Sequence, residues 1–238
     1  MSLKSLFLAL CLFIAFTSCD QSDDDPTPNV PKIKTITHYA GAKTTSETYE
    51  YDSSGRVVKI SYTEENYDQY DYRTDTIIMK TFRFRDPDTL LLNHEGRVVS
   101  EMFGYTNYEY YPGGKTAKAF IYNWDGELNS SFEYQVTDEN TTTLDIWEFV
   151  NGAPKHTITY NYEHLANSTN TIGNQNRGMT FYGKQDKNLM SVKKLTTLGT
   201  NNIEVVTYRY QLDAKKRVVK KWAEGSPDDV YDAYSYYE

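Results

Sequence analysis

The chain has 238 residues and a formal net charge of −8, with 33 acidic and 25 basic side chains of both signs interspersed. That balance excludes nucleic acid as a partner, because binding it needs a basic face to neutralise phosphates. The length fits one domain or at most two. The 22 Tyr against only 7 Pro favour sheet, since Tyr suits a pleated, half-buried surface.

The chain opens with Lys4 and an apolar run from Leu6 to Phe16. The run is too short for a membrane span, which takes about 20 residues, and suits the apolar core of a signal peptide. Phe16-Thr17-Ser18-Cys19 follows. It resembles the lipobox of bacterial lipoproteins, with Phe16 where that motif usually has Leu. The resemblance implies that residues 1–18 are removed and that Cys19 carries a lipid as the mature N-terminus. Residues 19–31 then read as an acidic, Pro-rich tether with no apolar periodicity. In polyproline geometry it would hold a domain about 30–40 Å from the membrane. Asp23-Asp24-Asp25, so close to Cys19, resembles the signal that sends some Gram-negative lipoproteins to the outer face of the outer membrane. Asp20, directly after Cys19, resembles an inner-membrane retention signal of other groups. The only cysteines are Cys11 and Cys19, so the domain beyond them has no disulfide, no Cys nucleophile and no Cys–His metal site.

From residue 32 to 238 the dominant period is two, which predicts a single all-β domain. Leu128, Ser130, Phe132, Tyr134 and Val136 alternate with polar residues, as do His156, Ile158, Tyr160 and Tyr162. Turn signals separate the runs at Asp52-Ser53-Ser54-Gly55, Pro112-Gly113-Gly114, Asp125-Gly126, Asn151-Gly152 and Asp213-Ala214-Lys215-Lys216. No stretch carries a helical apolar stripe. His164 to Met190 breaks the pattern, and a loop that long is uncommon in a compact domain unless functional or disordered.

A motif recurs along the domain. Tyr49-Glu50-Tyr51-Asp52-Ser53-Ser54-Gly55-Arg56-Val57-Val58 is its clearest copy. The stretches from Leu90 to Ser100 and from Tyr108 to Lys118 keep the spacing. Tyr208 to Lys220 reads as a copy with a turn two residues longer, and Phe181 to Lys193 as a degenerate one. Two aromatics at i and i+2 share a strand face, Gly supplies φ > 0 in the turn, and β-branched residues begin the return strand. Each copy reads as one hairpin. The motif resembles the YD repeats of large bacterial shell and surface proteins. Signal, acidic tether and hairpins together resemble a group of uncharacterised Gram-negative exported lipoproteins with a porin-like β-fold. That resemblance implies a curved antiparallel meander rolling toward a barrel, and no activity. A lipid-facing barrel needs one continuously apolar strand face. Lys118, Glu133, Glu148, Glu163 and Arg209 interrupt the alternation here, so the expected barrel is soluble.

No catalytic constellation stands out. Gly114-Lys115-Thr116 looks like the end of a phosphate loop, but Glu109 holds the place of the first Gly and the context is a hairpin. His38, His94, His156 and His164 are scattered, and no cofactor or metal site is expected. The candidate binding residues are aromatic: Trp124 beside a turn, Trp147 before Asn151-Gly152, and Tyr105, Tyr108 and Tyr110 around the third repeat. The expected function is a non-catalytic binding or scaffolding module, anchored to the outer membrane by its lipid and engaging a glycan, peptide or envelope protein. A purely structural envelope component, and a hydrolase with a carboxylate pair on the concave face, stand as alternatives.

Overall fold

The computed structural model describes residues 30–102, 105–200 and 202–238. The signal segment, Cys19 and Asp23-Asp24-Asp25 lie outside the described residues. The alternating runs form sixteen strands: β1 (Ile33–Ala40), β2 (Lys43–Tyr51), β3 (Val57–Ser61), β4 (Tyr67–Tyr72), β5 (Thr76–Thr81), β6 (Asp88–Leu92), β7 (Val98–Glu101), β8 (Thr106–Tyr110), β9 (Thr116–Tyr122), β10 (Leu128–Thr137), β11 (Asn140–Val150), β12 (Ala153–Thr169), β13 (Asn188–Thr197), β14 (Ile203–Leu212), β15 (Val218–Ala223) and β16 (Val230–Tyr236). Each pairs antiparallel with its sequence neighbours, and β16 returns to β1 in register from Ile33↔Tyr236 to Ala40↔Val230. The sheet implied by the sequence, a curved meander rolling toward a barrel, therefore closes completely. Closure removes the unpaired edges an open sheet would expose.

The hairpin turns explain the repeat. In the turn at Asp52–Arg56, Gly55 N–H donates to Asp52 O and Asp52 N–H donates to Arg56 O. The same two bonds recur at Asn93–Arg97, Tyr111–Lys115, Asn123–Glu127 and Asp213–Arg217. This is a type I turn closed by a residue in the left-handed region, followed by a bulge. Gly55 has φ 74, and the fourth copy puts Lys216 there at φ 60. That copy's turn thus has the same length as the others; what shifts is Tyr210, set further from the turn. Asp52 Oδ1 accepts from the backbone of Ser54 and Arg56, and its carboxylate receives the Arg56 guanidinium at 2.7 Å.

Five tyrosines, three of them from the repeat, lock one rim of the barrel. Tyr72 on β4 donates its hydroxyl to Val57 O on β3, Tyr110 on β8 to Val98 O on β7, and Tyr236 on β16 to Val218 O on β15. Tyr51 and Tyr210 do the same with Ile33 O and Met190 O. The turn arginines lie over three of these rings: Arg56 on Tyr72 at 4.3 Å, Arg217 on Tyr236 at 4.7 Å, and Arg97 on Tyr110 at 5.6 Å. Each ring thus supplies apolar area and a donor together, at a rim where bulges leave carbonyls to satisfy.

Residues 170–187, between β12 and β13, fold across this same end as a plug. A single 3-10 turn at Thr180–Tyr182 is its only regular element, and Phe181 is buried in the barrel. The rim hydrogen-bonds to it on several sides. Ile33 N–H donates to Asn176 O, Val57 N–H to Gly178 O, and Lys184 N–H to Gly114 O. At Gly178, φ is +70 and a Cβ would stand 2.6 Å from the backbone nitrogen of Val57, so only glycine fits this approach. Phe181 to Lys193 is therefore not a hairpin copy; it runs from the plug into β13. The segment that breaks the alternation is an ordered stopper.

A barrel of sixteen strands is wide enough to hold a lumen. Here the plugged end is dry. Ile33, Val57, Ile77, Leu90, Val98 and Val218 are 0% exposed around Phe181. Toward the other end, inward side chains meet solvent: His38 is 39% exposed and Asp232 33%. The molecule is a cup with a packed floor. Its outer wall is polar. Lys118 pairs with Glu133 at 2.9 Å on that face, and Glu163 and Arg209 also point outward by register, whereas Glu148 shares the inward parity of Ile146.

Candidate functional site

The five aromatic candidates do not converge. Trp124, 88% exposed, and Tyr105 meet at the open rim, ring centroids 6.0 Å apart. Trp147 lies on the outer wall and stacks on His156 at 4.4 Å, with His156 Nε2 3.0 Å from Asp145. Tyr108 points inward and donates to Glu101 at 3.0 Å, while Tyr110 belongs to the rim lock. The candidate site is instead the inward face of the wall above the plug.

Its wall is lined by tyrosines that the period-two pattern turns inward. Tyr160 and Tyr162 stack at 6.1 Å on β12, next to Tyr208 on β14 and Tyr134 on β10. Burial raises the Tyr134 and Tyr162 phenols above the ordinary tyrosine range, so they remain neutral donors.

Charge divides this lumen. On one side Asp68 accepts from Tyr62 at 2.8 Å, and its Oδ1 is buried with no partner among the described residues. Glu101 receives Tyr108 and Tyr182 phenols, and burial pushes its carboxyl up despite them, with Asp88 adding like charge. The opposite side carries Lys193 on β13, Lys221 on β15 and Arg177 from the plug. Between the sides, His38 bridges Asp232 at 2.7 Å and Glu47 at 3.5 Å. The sequence reading missed Arg177, Lys193 and Lys221. The one available signal was that Lys193 is in phase with Leu195 on its strand.

Ion pairs tie the plug to the rim: Lys187 to Glu139 at 3.0 Å on the surface, and a more buried one at Asp186. Asp186 on the plug accepts from Lys115 Nζ at 2.6 Å and from Thr141 N and Oγ1 at 2.7 and 2.8 Å. His164 Nε2 stands 3.4 Å away. Burial opposes ionisation of Asp186, but Lys115 and Thr141 outweigh it and hold the carboxyl below the ordinary aspartate range. The Lys115 that looked like part of a phosphate loop is a plug latch. Beside it a cleft of about 830 Å³ opens between the plug and the β10–β11 hairpin. A second hollow of about 510 Å³ on the outer wall is lined by Trp222, Lys220 and Arg209. Among the described residues, no cluster of His, Cys, Asp and Glu could hold a metal ion.

Two solved structures share the architecture. A porin-like protein from Bacteroides uniformis matches with a TM-score of 0.63 at 15% identity, over 86% of this chain and 98% of that one. A porin-like protein from Bacteroides vulgatus matches with a TM-score of 0.61 at 12% identity, over 87% of this chain and 99% of that one. At such identities the likeness shows the fold. No protein-family model matches the chain, and no curated protein matches it.

Proposed function

We propose that the chain is a lipid-tethered, non-catalytic binding cup of the bacterial outer membrane, taking a saccharide into a tyrosine-lined lumen. The observation that carries this reading is the contrast between a buried, plugged floor and a half-exposed aromatic wall above it. Tyrosine faces stack on sugar rings, and neutral phenols donate to sugar hydroxyls. The polar outer wall supports a barrel that stands off the bilayer, since a lipid-facing band would be apolar. β1 starts at the plugged end, so a tether entering there turns the open mouth away from the membrane.

Two measurements test this. Mass spectrometry of the mature N-terminus should find a lipid on Cys19; an unmodified Cys19 removes the anchor from the reading. Thr197 points into the lumen and Thr196 outward, by register with Ile158 and Thr159. Thr197→Cys carrying a bulky maleimide should abolish binding of an oligosaccharide found by screening, while labelled Thr196→Cys should bind like the parent. Equal binding by both would place the site outside the lumen.

A further inference from the structure

Resting on that reading, we infer that the lumen selects an acidic saccharide, one bearing carboxylate or sulfate, and that Arg177 with Lys193 and Lys221 forms the anion-recognition side of the cup. The three cations come from separate elements yet face one space. Arg177 follows Asn176, whose carbonyl is tied to Ile33 N and Tyr51 hydroxyl, so its side chain leaves the plug beside Tyr49, Tyr51 and Tyr234. Lys221 is the register neighbour of Asp232 on one side and Tyr210 on the other. Lys193 pairs in register with inward Tyr162.

None of the three has a carboxylate within ion-pair distance among the described residues. Arg177 Nε is buried and without a partner. The Lys221 ammonium lies 4.5 Å from the Tyr208 ring and the Lys193 ammonium 5.7 Å from the Tyr160 ring, so both rest on aromatic faces. Asp232, the register neighbour of Lys221, and Glu47 both contact His38 instead. Burial depresses the Lys221 ammonium against the pull of Asp232, and Arg177 and Lys193 add like charge, so an anion placed among the three cations would relieve repulsion. Leaving buried cations unpaired is unfavourable for a structure alone, and a guanidinium is suited to bidentate recognition of carboxylate or sulfate. The tyrosines beside the cations supply ring faces. The carboxylates Asp68, Asp88 and Glu101 lie on other strands, β4, β6 and β7, apart from the cations on β13 and β15.

The test is calorimetry on the full chain in detergent, with trigalacturonate as the carboxylate probe, a chondroitin sulfate tetrasaccharide as the sulfate probe and maltotriose as the neutral one. At least one acidic probe should bind tenfold or more tighter than maltotriose. Arg177→Gln and Lys221→Gln should each reduce acidic affinity at least fivefold and narrow the gap between the acidic probe and maltotriose. Arg177 makes no ion pair that its loss would break, and Lys193→Gln, on the wall, provides a second variant independent of the plug. Whichever acidic probe binds tighter identifies the anion. Maltotriose binding as well as or better than both acids, or an acidic preference that survives all three substitutions, overturns the anion site and leaves the saccharide cup standing. No binding by any probe overturns both.

Discussion

Phe181→Ala should lower the stability of the barrel by about 3–5 kcal/mol, the range for removing a fully buried aromatic side chain. Phe181 is 3% exposed, and its ring lies 5.8 Å from Tyr70, 6.1 Å from Tyr72 and 4.8 Å from Tyr182. It joins the plug to the wall strand β4, and no neighbouring side chain is free to fill the void. Against a total of about 5–15 kcal/mol for a domain, this is a large share. Denaturant midpoints measure it. Trp124→Ala, at an 88% exposed position, should change stability by no more than about 0.5 kcal/mol and serves as the control. If Phe181→Ala melts with the parent, the plug is not part of the cooperative unit and the dry floor has another support.

Asp186→Asn should cost about 2–4 kcal/mol at neutral pH. The substitution keeps an acceptor for Thr141 but leaves the Lys115 ammonium, with only 9% of its side chain exposed, without its counter-charge. The lower part of the range applies because Asp186 keeps 20% of its own side chain in water. The pH dependence has a definite sign. The folded carboxyl titrates below its unfolded counterpart, which lies near 3.9. Its stabilisation is therefore complete above that value and is lost as the pH falls through the folded one. The gap in thermal midpoint between parent and variant should stay constant from about pH 8 to pH 5 and narrow in the acid range below pH 4. A gap that is flat throughout would show that the Asp186 charge does not hold the plug.

Much of the wall was legible because one face of each strand is buried, and burial enforces alternation. Tyr160 and Tyr162, or Phe132 and Tyr134, show it directly. The turns were legible for the same local reason, since Asp52 and Gly55 have few alternatives in a type I turn with a bulge. What the sequence concealed was phase. Past each such turn a bulge inserts a residue, so Val57 and Ile60 both face inward, as do Val98 and Glu101. Simple alternation from Val218 would point Lys220 into the lumen; the bulge sends Lys221 there instead, and Lys220 outward onto the Tyr231 ring at 3.7 Å. The cationic side of the cup was hidden by that one-residue shift. The plug was hidden for a different reason. Its positions are fixed by backbone bonds to distant rims, such as Gly178 to Val57, and such bonds have no side-chain signature beyond an isolated Gly.

The topology also has a kinetic side. Every strand pairing but one joins neighbours along the chain, and short hairpins close quickly. The exception is β1 with β16, where Thr35 and Ser235 meet 200 residues apart. Joining ends that far apart carries an entropic penalty that grows only slowly with length, about 0.6 kcal/mol per doubling, but it must be met in one event with little partial reward. Until β16 exists, a growing sheet keeps two raw edges, each able to pair with another copy. The plug narrows that interval. Thr171 Oγ1 accepts from Val218 N–H, and the Tyr236 hydroxyl, bonded to Val218 O, stands 3.2 Å from Thr171 O, so the stopper that fills the floor also holds β15 and receives the last strand as the ring shuts.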